Sequence, residues 1–184
     1  MRDIMLDLEC TDSRRTAAIV SIGAVFFDVN KQKLGDEFYV EVNISGIKKQ
    51  IDAGRTLSLD TMVWWLGQSD GARNVWLKNE HVKQDIIAAL HEFAKYCSKS
   101  IGRPRVWGNG VDYDNVVLRD CYETFDIRTP WHFRDNRCYR TMKNLFNRAH
   151  TGLERQGAHH NGLDDAKTQA VHLIKMLKDV KVNT

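Results

Sequence analysis

Asp7 and Glu9 stand two residues apart in the first apolar run, Asp114 follows a glycine-flanked turn, and His160 precedes Asp165 by five positions. Four carboxylates and one imidazole are the donor set that holds two hard divalent cations and moves one proton, which is the equipment of phosphodiester hydrolysis. In the first fragment Ile4, Leu6 and Leu8 alternate with Met5, Asp7 and Glu9, and alternate side chains of a strand point to opposite faces. Asp7 and Glu9 therefore share a face. Carboxylates that close repel each other and raise one pKa, unless a cation lies between them. An exposed edge strand with both acids in water is the competing reading of so short a string. Against it, Ile19, Val20, Ile22, Val25, Phe26 and Phe27 make the next run a buried neighbouring strand.

The elements that must position these residues fall into an α/β pattern. Three strands, roughly residues 2–9, 17–28 and 36–43, are joined by polar turns short enough for an antiparallel meander. The middle of the chain changes period: helical stretches are expected around Thr61–Leu66 and Ala72–Lys78, and Val82, Ile86, Leu90, Phe93 and Cys97 recur at helical spacing. Arg105-Val106-Trp107-Gly108-Asn109-Gly110 reads as a brief strand ending in a turn, followed by a helix over 114–123. In the last helix Ala166, Ala170, Leu173, Ile174 and Leu177 form one apolar stripe, with Lys167, Lys175 and Lys178 mostly off it. Asn161 suits its N-cap and Asp164 its first turn, which sets His160 just ahead of the helix and Asp165 inside its start.

The 184 residues, with no internal repeat or linker, suit one domain over 1–184, and 42% hydrophobic with 28% charged residues is ordinary for a soluble globular chain. Lys and Arg exceed Asp and Glu by 27 − 24 = 3, an excess that tolerates a polyanionic partner without demanding one. Cys10, Cys97, Cys121 and Cys138 are scattered, with neither zinc spacing nor a disulfide framework, and read as reduced, intracellular thiols. No apolar run approaches the ~20 residues of a bilayer span, and the N-terminus carries no leader pattern. A cytoplasmic protein without a membrane partner is the expectation.

Asp7 and Glu9 in the first strand, Asp114 after Trp107-Gly108-Asn109-Gly110, and His160-x-x-x-x-Asp165 at the last helix together resemble the DEDDh family of 3′→5′ exonucleases, over residues 3 to about 178. Within it, Thr61-Met62-Val63-Trp64-Trp65-Leu66-Gly67-Gln68-Ser69 followed by Ala72-Arg73 is similar to the branch of mycobacterial exoribonuclease-like proteins and T-even phage exonuclease A. The resemblance implies a ribonuclease-H-like mixed sheet, with an antiparallel N-terminal three-strand meander, flanked by helices. It implies two Mg²⁺ or Mn²⁺ ions held by Asp7, Glu9, Asp114 and Asp165, with Asp7 bridging them and His160 as proton acceptor. Counting back from Asp164 would select His159 instead; the family interval and Ala166 favour His160 with Asp165. Asp164 then reads as a first-turn acid and Asp112 as a loop acid.

The implied substrate is the 3′ end of single-stranded DNA or RNA, with DNA slightly favoured by the phage resemblance. Cys10 stands where many relatives have threonine, which touches the terminal nucleotide; Cys10 and Thr11 are therefore substrate-binding candidates. Arg134, Arg137, Arg140, Lys143 and Arg148 crowd one stretch, and Arg14 and Arg15 follow the first motif; they suit backbone phosphates or a solvated face. Arg137 and Arg140 are carried forward. Most tryptophans are core, but Trp64 and Trp65, about 100° apart on a helix, cannot both enter one core, so both are carried as candidates for facing the cleft and stacking on a base. Several relatives dimerise, which admits a homodimer, though no apolar pattern singles out an interface. A catalytically silent binding module and an endonuclease with the same chemistry are the rival readings.

Overall fold

The computed structural model describes residues 1–77, 80–146, 155, 157 and 159–181. The chain runs β1 (Asp3–Cys10), β2 (Ile19–Asp28), β3 (Lys33–Glu41), α1 (Ile44–Asp52), α2 (Leu59–Leu66), α3 (Asp70–Leu77), α4 (Ile86–Ser98), β4 (Arg105–Gly108), α5 (Asp114–Thr124), β5 (Asn136–Cys138), α6 (Tyr139–Phe146) and α7 (Gly162–Lys181). The strands form one mixed sheet in the order β3-β2-β1-β4-β5, antiparallel across β1, β2 and β3 and parallel across β1, β4 and β5. β1 lies at its centre, so the pair Asp7 and Glu9 is not on a solvated edge.

Alternation along β1 sorts its side chains between two cores. Ile4, Leu6, Leu8 and Cys10 join Ile22, Ala24 and Phe26 of β2 under α4 and α5, where Leu90, Phe93, Leu118 and Tyr122 are fully buried. Met5 faces the other way, packing with Val25, Phe27 and Trp107 against Ala166, Ala170 and Leu173 of α7. The strand's period of two therefore sends Asp7 and Glu9 to the α7 face as the apolar core on that side ends.

Five elements differ from those expected. Helix α1 is absent from the expected elements, although Ile44, Ile47 and Ile51 recur at helical spacing; the Asn43 side chain caps it, accepting the Gly46 N–H at 2.7 Å. β5 and α6 are short and interrupted by arginine, which obscures their pattern. Val82 does not begin α4; it lies in a 3₁₀ turn, 74% exposed, and the Asp85 side chain caps the helix instead. β3 starts at Lys33, ahead of the expected 36, and Lys78 lies outside the described residues. No described helix is long and apolar enough to cross a membrane.

Gly23, opposite Asp7 in the β1–β2 register, lets α7 approach the sheet. A Cβ there would come within 2.1 Å of the Gly162 carbonyl carbon, and one on Gly162 within 3.0 Å of the Asp7 carbonyl oxygen. This backbone contact sets the distance between the motif on β1 and the motif on α7. Gly23→Ala is expected to destabilise the protein by at least about 1–3 kcal/mol, the usual cost of overpacking, read as a lower thermal midpoint; an unchanged midpoint would contradict the close approach.

Candidate active site

The carboxyl ends of the parallel strands β1 and β4 open into a cavity of about 260 Å³, the side on which open α/β sheets place ligands. Asp7, Glu9, Asp114, His160 and Asp165, each from a different stretch of sequence or strand position, all line it. Asp7 and Glu9 come from β1, Asp114 is the first residue of α5, and Asp165 sits in the first turn of α7. Asn161 caps α7 by accepting the Leu163 and Asp164 N–H groups at 3.1 Å each. Glu9, His160 and Asp165 each offer one donor atom within 4.8 Å of the others.

Packing so many anions together is unfavourable, and their proton affinities record it. Burial first, then the charges of Asp165 and Asp114, push the Glu9 carboxyl up to about 8. Burial raises Asp114 to about 7 despite the opposing N–H groups of Leu8, Asn109 and Asp114 itself. Asp7 rises well above the carboxylate range through burial and then the charges of Asp114, Glu9 and Asp165. His160 is held below its ordinary value by burial and by the neighbouring His159, so its imidazole is neutral near pH 7 and open to a proton. A cluster of hard oxygen donors that resists ionising together, with an accepting imidazole beside it, fits a divalent cation such as Mg²⁺ or Mn²⁺.

His160 adopts φ 59°, a left-handed backbone rare outside glycine. In that conformation its N–H donates to Asp165 Oδ2 at 2.9 Å, and its ring meets Trp64 edge-on at 4.8 Å between centroids. His159 also lines the cavity, its ring 3.8 Å from that of His160, but it is not in the donor group with Glu9 and Asp165. Asp164 is a first-turn acid of α7, and Asp112 is exposed in the turn before α5.

The substrate candidates separate. Trp64 is 45% exposed at the cleft, whereas Trp65 is 2% exposed and donates its indole N–H to the Cys10 carbonyl at 3.1 Å; Trp65 is a wall and not a base contact. Thr11 is wholly buried, its hydroxyl 2.7 Å from the Thr56 carbonyl oxygen. The Cys10 side chain lies on the opposite sheet face from the carboxylates, in the larger core, so the substitution of threonine by cysteine falls away from the cleft. Arg140 lines the cavity and donates to the Asn109 carbonyl at 2.6 Å. Arg137 instead donates to the carbonyls of Arg134 and Asn136 at 2.9 and 2.8 Å, outside the cavity. Arg14 and Arg15 are drawn to Asp12 and Asp120, and Arg148 lies outside the described residues.

Two polar residues at the site were missed. Gln169 donates to Asp7 Oδ1 at 2.8 Å; its place one turn after Asp165, on the same helix face, was the available signal. Arg155 ion-pairs with Asp165 Oδ1, and no periodicity marks it.

The fold and this constellation define a class. The chain superposes on the nuclease domain of 3′hExo, a DEDDh family member bound to rAMP, with TM-score 0.62 at 15% identity, covering 96% of this chain and 92% of that one. It superposes on an Escherichia coli exonuclease I–ssDNA complex with TM-score 0.64 at 12% identity, over 96% of this chain and 40% of that one. Exodeoxyribonuclease of Enterobacteria phage T4 is 28% identical over 127 residues, 65% of this chain and 55% of the phage protein, so the match spans about half of that relative's length. The model of the Rv2179c-like 3′-5′ exoribonuclease domain matches residues 2–177. The chain belongs to this family, and its fold is that of the DEDDh nuclease domain on which it superposes.

Glu9 and Asp114 bind protons more tightly in the folded chain than in the unfolded one. Between about pH 5 and 8 the folded state therefore carries more protons, and stability falls as pH rises. In chelator the thermal midpoint is expected to drop across this interval, and Asp7→Asn, which removes one repelling charge, to flatten the drop. A wild-type midpoint that rises over the interval would contradict the anionic cluster.

Proposed function

We propose that this chain removes nucleoside 5′-monophosphates one at a time from the 3′ ends of single-stranded RNA, in a reaction that depends on divalent metal. The observation that carries the reading is the convergence of Asp7, Glu9, Asp114, Asp165 and His160 on one cavity at the carboxyl ends of β1 and β4. The family's match along 2–177 supports RNA over the slight preference for DNA read from the sequence. DNA is the second reading, supported by the phage T4 relative.

Two divalent ions held by Asp7, Glu9, Asp114 and Asp165 would supply the positive charge that activates water and offsets charge on the phosphate oxygens. The protein's own groups do the rest. A ring nitrogen of His160 takes a proton from the attacking water as its oxygen bonds to phosphorus and the bond from phosphorus to the 3′-oxygen breaks. The 3′-oxygen leaves with the shortened strand. Gln169 holds the Asp7 carboxylate by its Oδ1, and the left-handed backbone of His160 ties the ring's position to Asp165. Arg140, at the rim, faces backbone phosphate, and the exposed Trp64 offers a ring on which the terminal base stacks.

A 5′-labelled RNA with Mn²⁺ or Mg²⁺ is expected to shorten stepwise, faster than the matched DNA, while a circular single strand stays intact. Asp7→Ala should lower the rate by roughly 10³-fold or more, and His160→Ala by about 10²–10⁴-fold. Trp64→Ala should raise KM more than it lowers kcat. Full activity in Asp7→Ala, or cutting of the circle, refutes the reading; binding without turnover in either metal would point to a silent binding module.

A further inference from the structure

Both oxygens of Asp165 are engaged. Oδ2 accepts the His160 backbone N–H at 2.9 Å, and Oδ1 is held by the guanidinium of Arg155, ahead of α7. Yet Asp165 is also the residue that, with Glu9 and His160, offers a cation three donor atoms within 4.8 Å. A divalent ion that takes Asp165 therefore meets a positive charge already seated on the same carboxylate. Arg155 reaches further than its ion pair: its charge also favours ionised Glu9 and disfavours protonated His160.

We propose that Arg155 is the resident counter-cation of this site, holding the Asp165 carboxylate before a divalent ion binds and giving up Oδ1 to that ion. Arginine suits the task because its planar guanidinium presents a rigid fork of N–H donors that matches a carboxylate. Its side chain is 35% exposed and that of Asp165 16%, so the released group has room to swing toward solvent. Arg155 is in this sense a positioning residue, acting through Asp165. The proposal rests on the metal-dependent reading above, but it concerns affinity for the ion and not turnover.

The test is Mn²⁺ binding without nucleic acid, followed by electron paramagnetic resonance of the free ion. Arg155→Ala is expected to bind Mn²⁺ about threefold or more tighter than wild type, a modest gain because the pair is partly exposed. Its metal-free thermal midpoint should fall, since the carboxylates lose a cation. Arg155→Lys, which keeps the charge, should stay near wild type in both. Should Arg155→Ala prove too unstable, Arg155→Gln, which retains an N–H donor without the charge, is expected to show the same gain. Charge-removing variants that bind Mn²⁺ no tighter than wild type overturn the proposal, as does a lysine variant that behaves like alanine. A wild-type protein that binds no Mn²⁺ removes the metal-dependent reading itself; wild-type binding without the gain removes only the role of Arg155.

Discussion

The repulsion among carboxylates gathered at the end of the central strand is the constraint on which the rest of the structure turns. Glu9 and Asp114 are almost fully shielded from water, and Asp7 lines the same cavity. Buried anions without partners are among the most unfavourable groups a fold can contain. Their presence here requires a framework stable enough to tolerate them. That framework is β1, flanked on both sides in the sheet and packed on both faces, with β2, buried from Ile19 to Phe27, as its neighbour.

Several local features offset the repulsion. Asp114 opens α5 and Asp165 lies in the first turn of α7, so two helix N-termini, each carrying partial positive charge, point at the cluster. The Leu8 N–H, the Gln169 amide and the guanidinium of Arg155 add donors to individual oxygens. These contacts order the side chains without neutralising them: Glu9 still titrates near 8. The residual affinity for positive charge is what a divalent cation would use. Stability and function thus pull in opposite directions at Asp7, and the glycine contact between β2 and α7 holds them in that opposition.

How much of this was legible depended on how local the signal was. The alternation Ile4, Leu6, Leu8 against Asp7, Glu9 is a property of six consecutive residues, and the strand and its acidic face followed from it. The N-cap at Asn161 and the stripe along α7 were equally local. Gln169 was readable in principle from its spacing to Asp165, but a glutamine on a helix face has no distinguishing chemistry until a carboxylate is opposite it. Arg155 gave no signal at all, because its partner is chosen by the path of the chain into α7. The tryptophans mark the boundary well. That Trp64 and Trp65 diverge is helix geometry; that Trp65 is the buried one depends on where the Cys10 carbonyl lies.

By itself the sequence determined the inventory of the site and the local conformation of each motif, because strand alternation, helix caps and periodicity act over a few residues. It also carried the order of the motifs along the chain, which is what the family resemblance reads. The tertiary structure decided which residues share the cavity. Cys10 and Thr11 directly follow the first motif and Arg137 lies in the arginine-rich stretch between the second and third, yet they point into the core or toward backbone carbonyls. Arg140 and Gln169 enter, and Arg155 pairs with Asp165, because sheet order and the glycine-limited approach of α7 bring distant segments within a few ångströms. Such contacts depend on long-range packing, and no spacing along the chain encodes them.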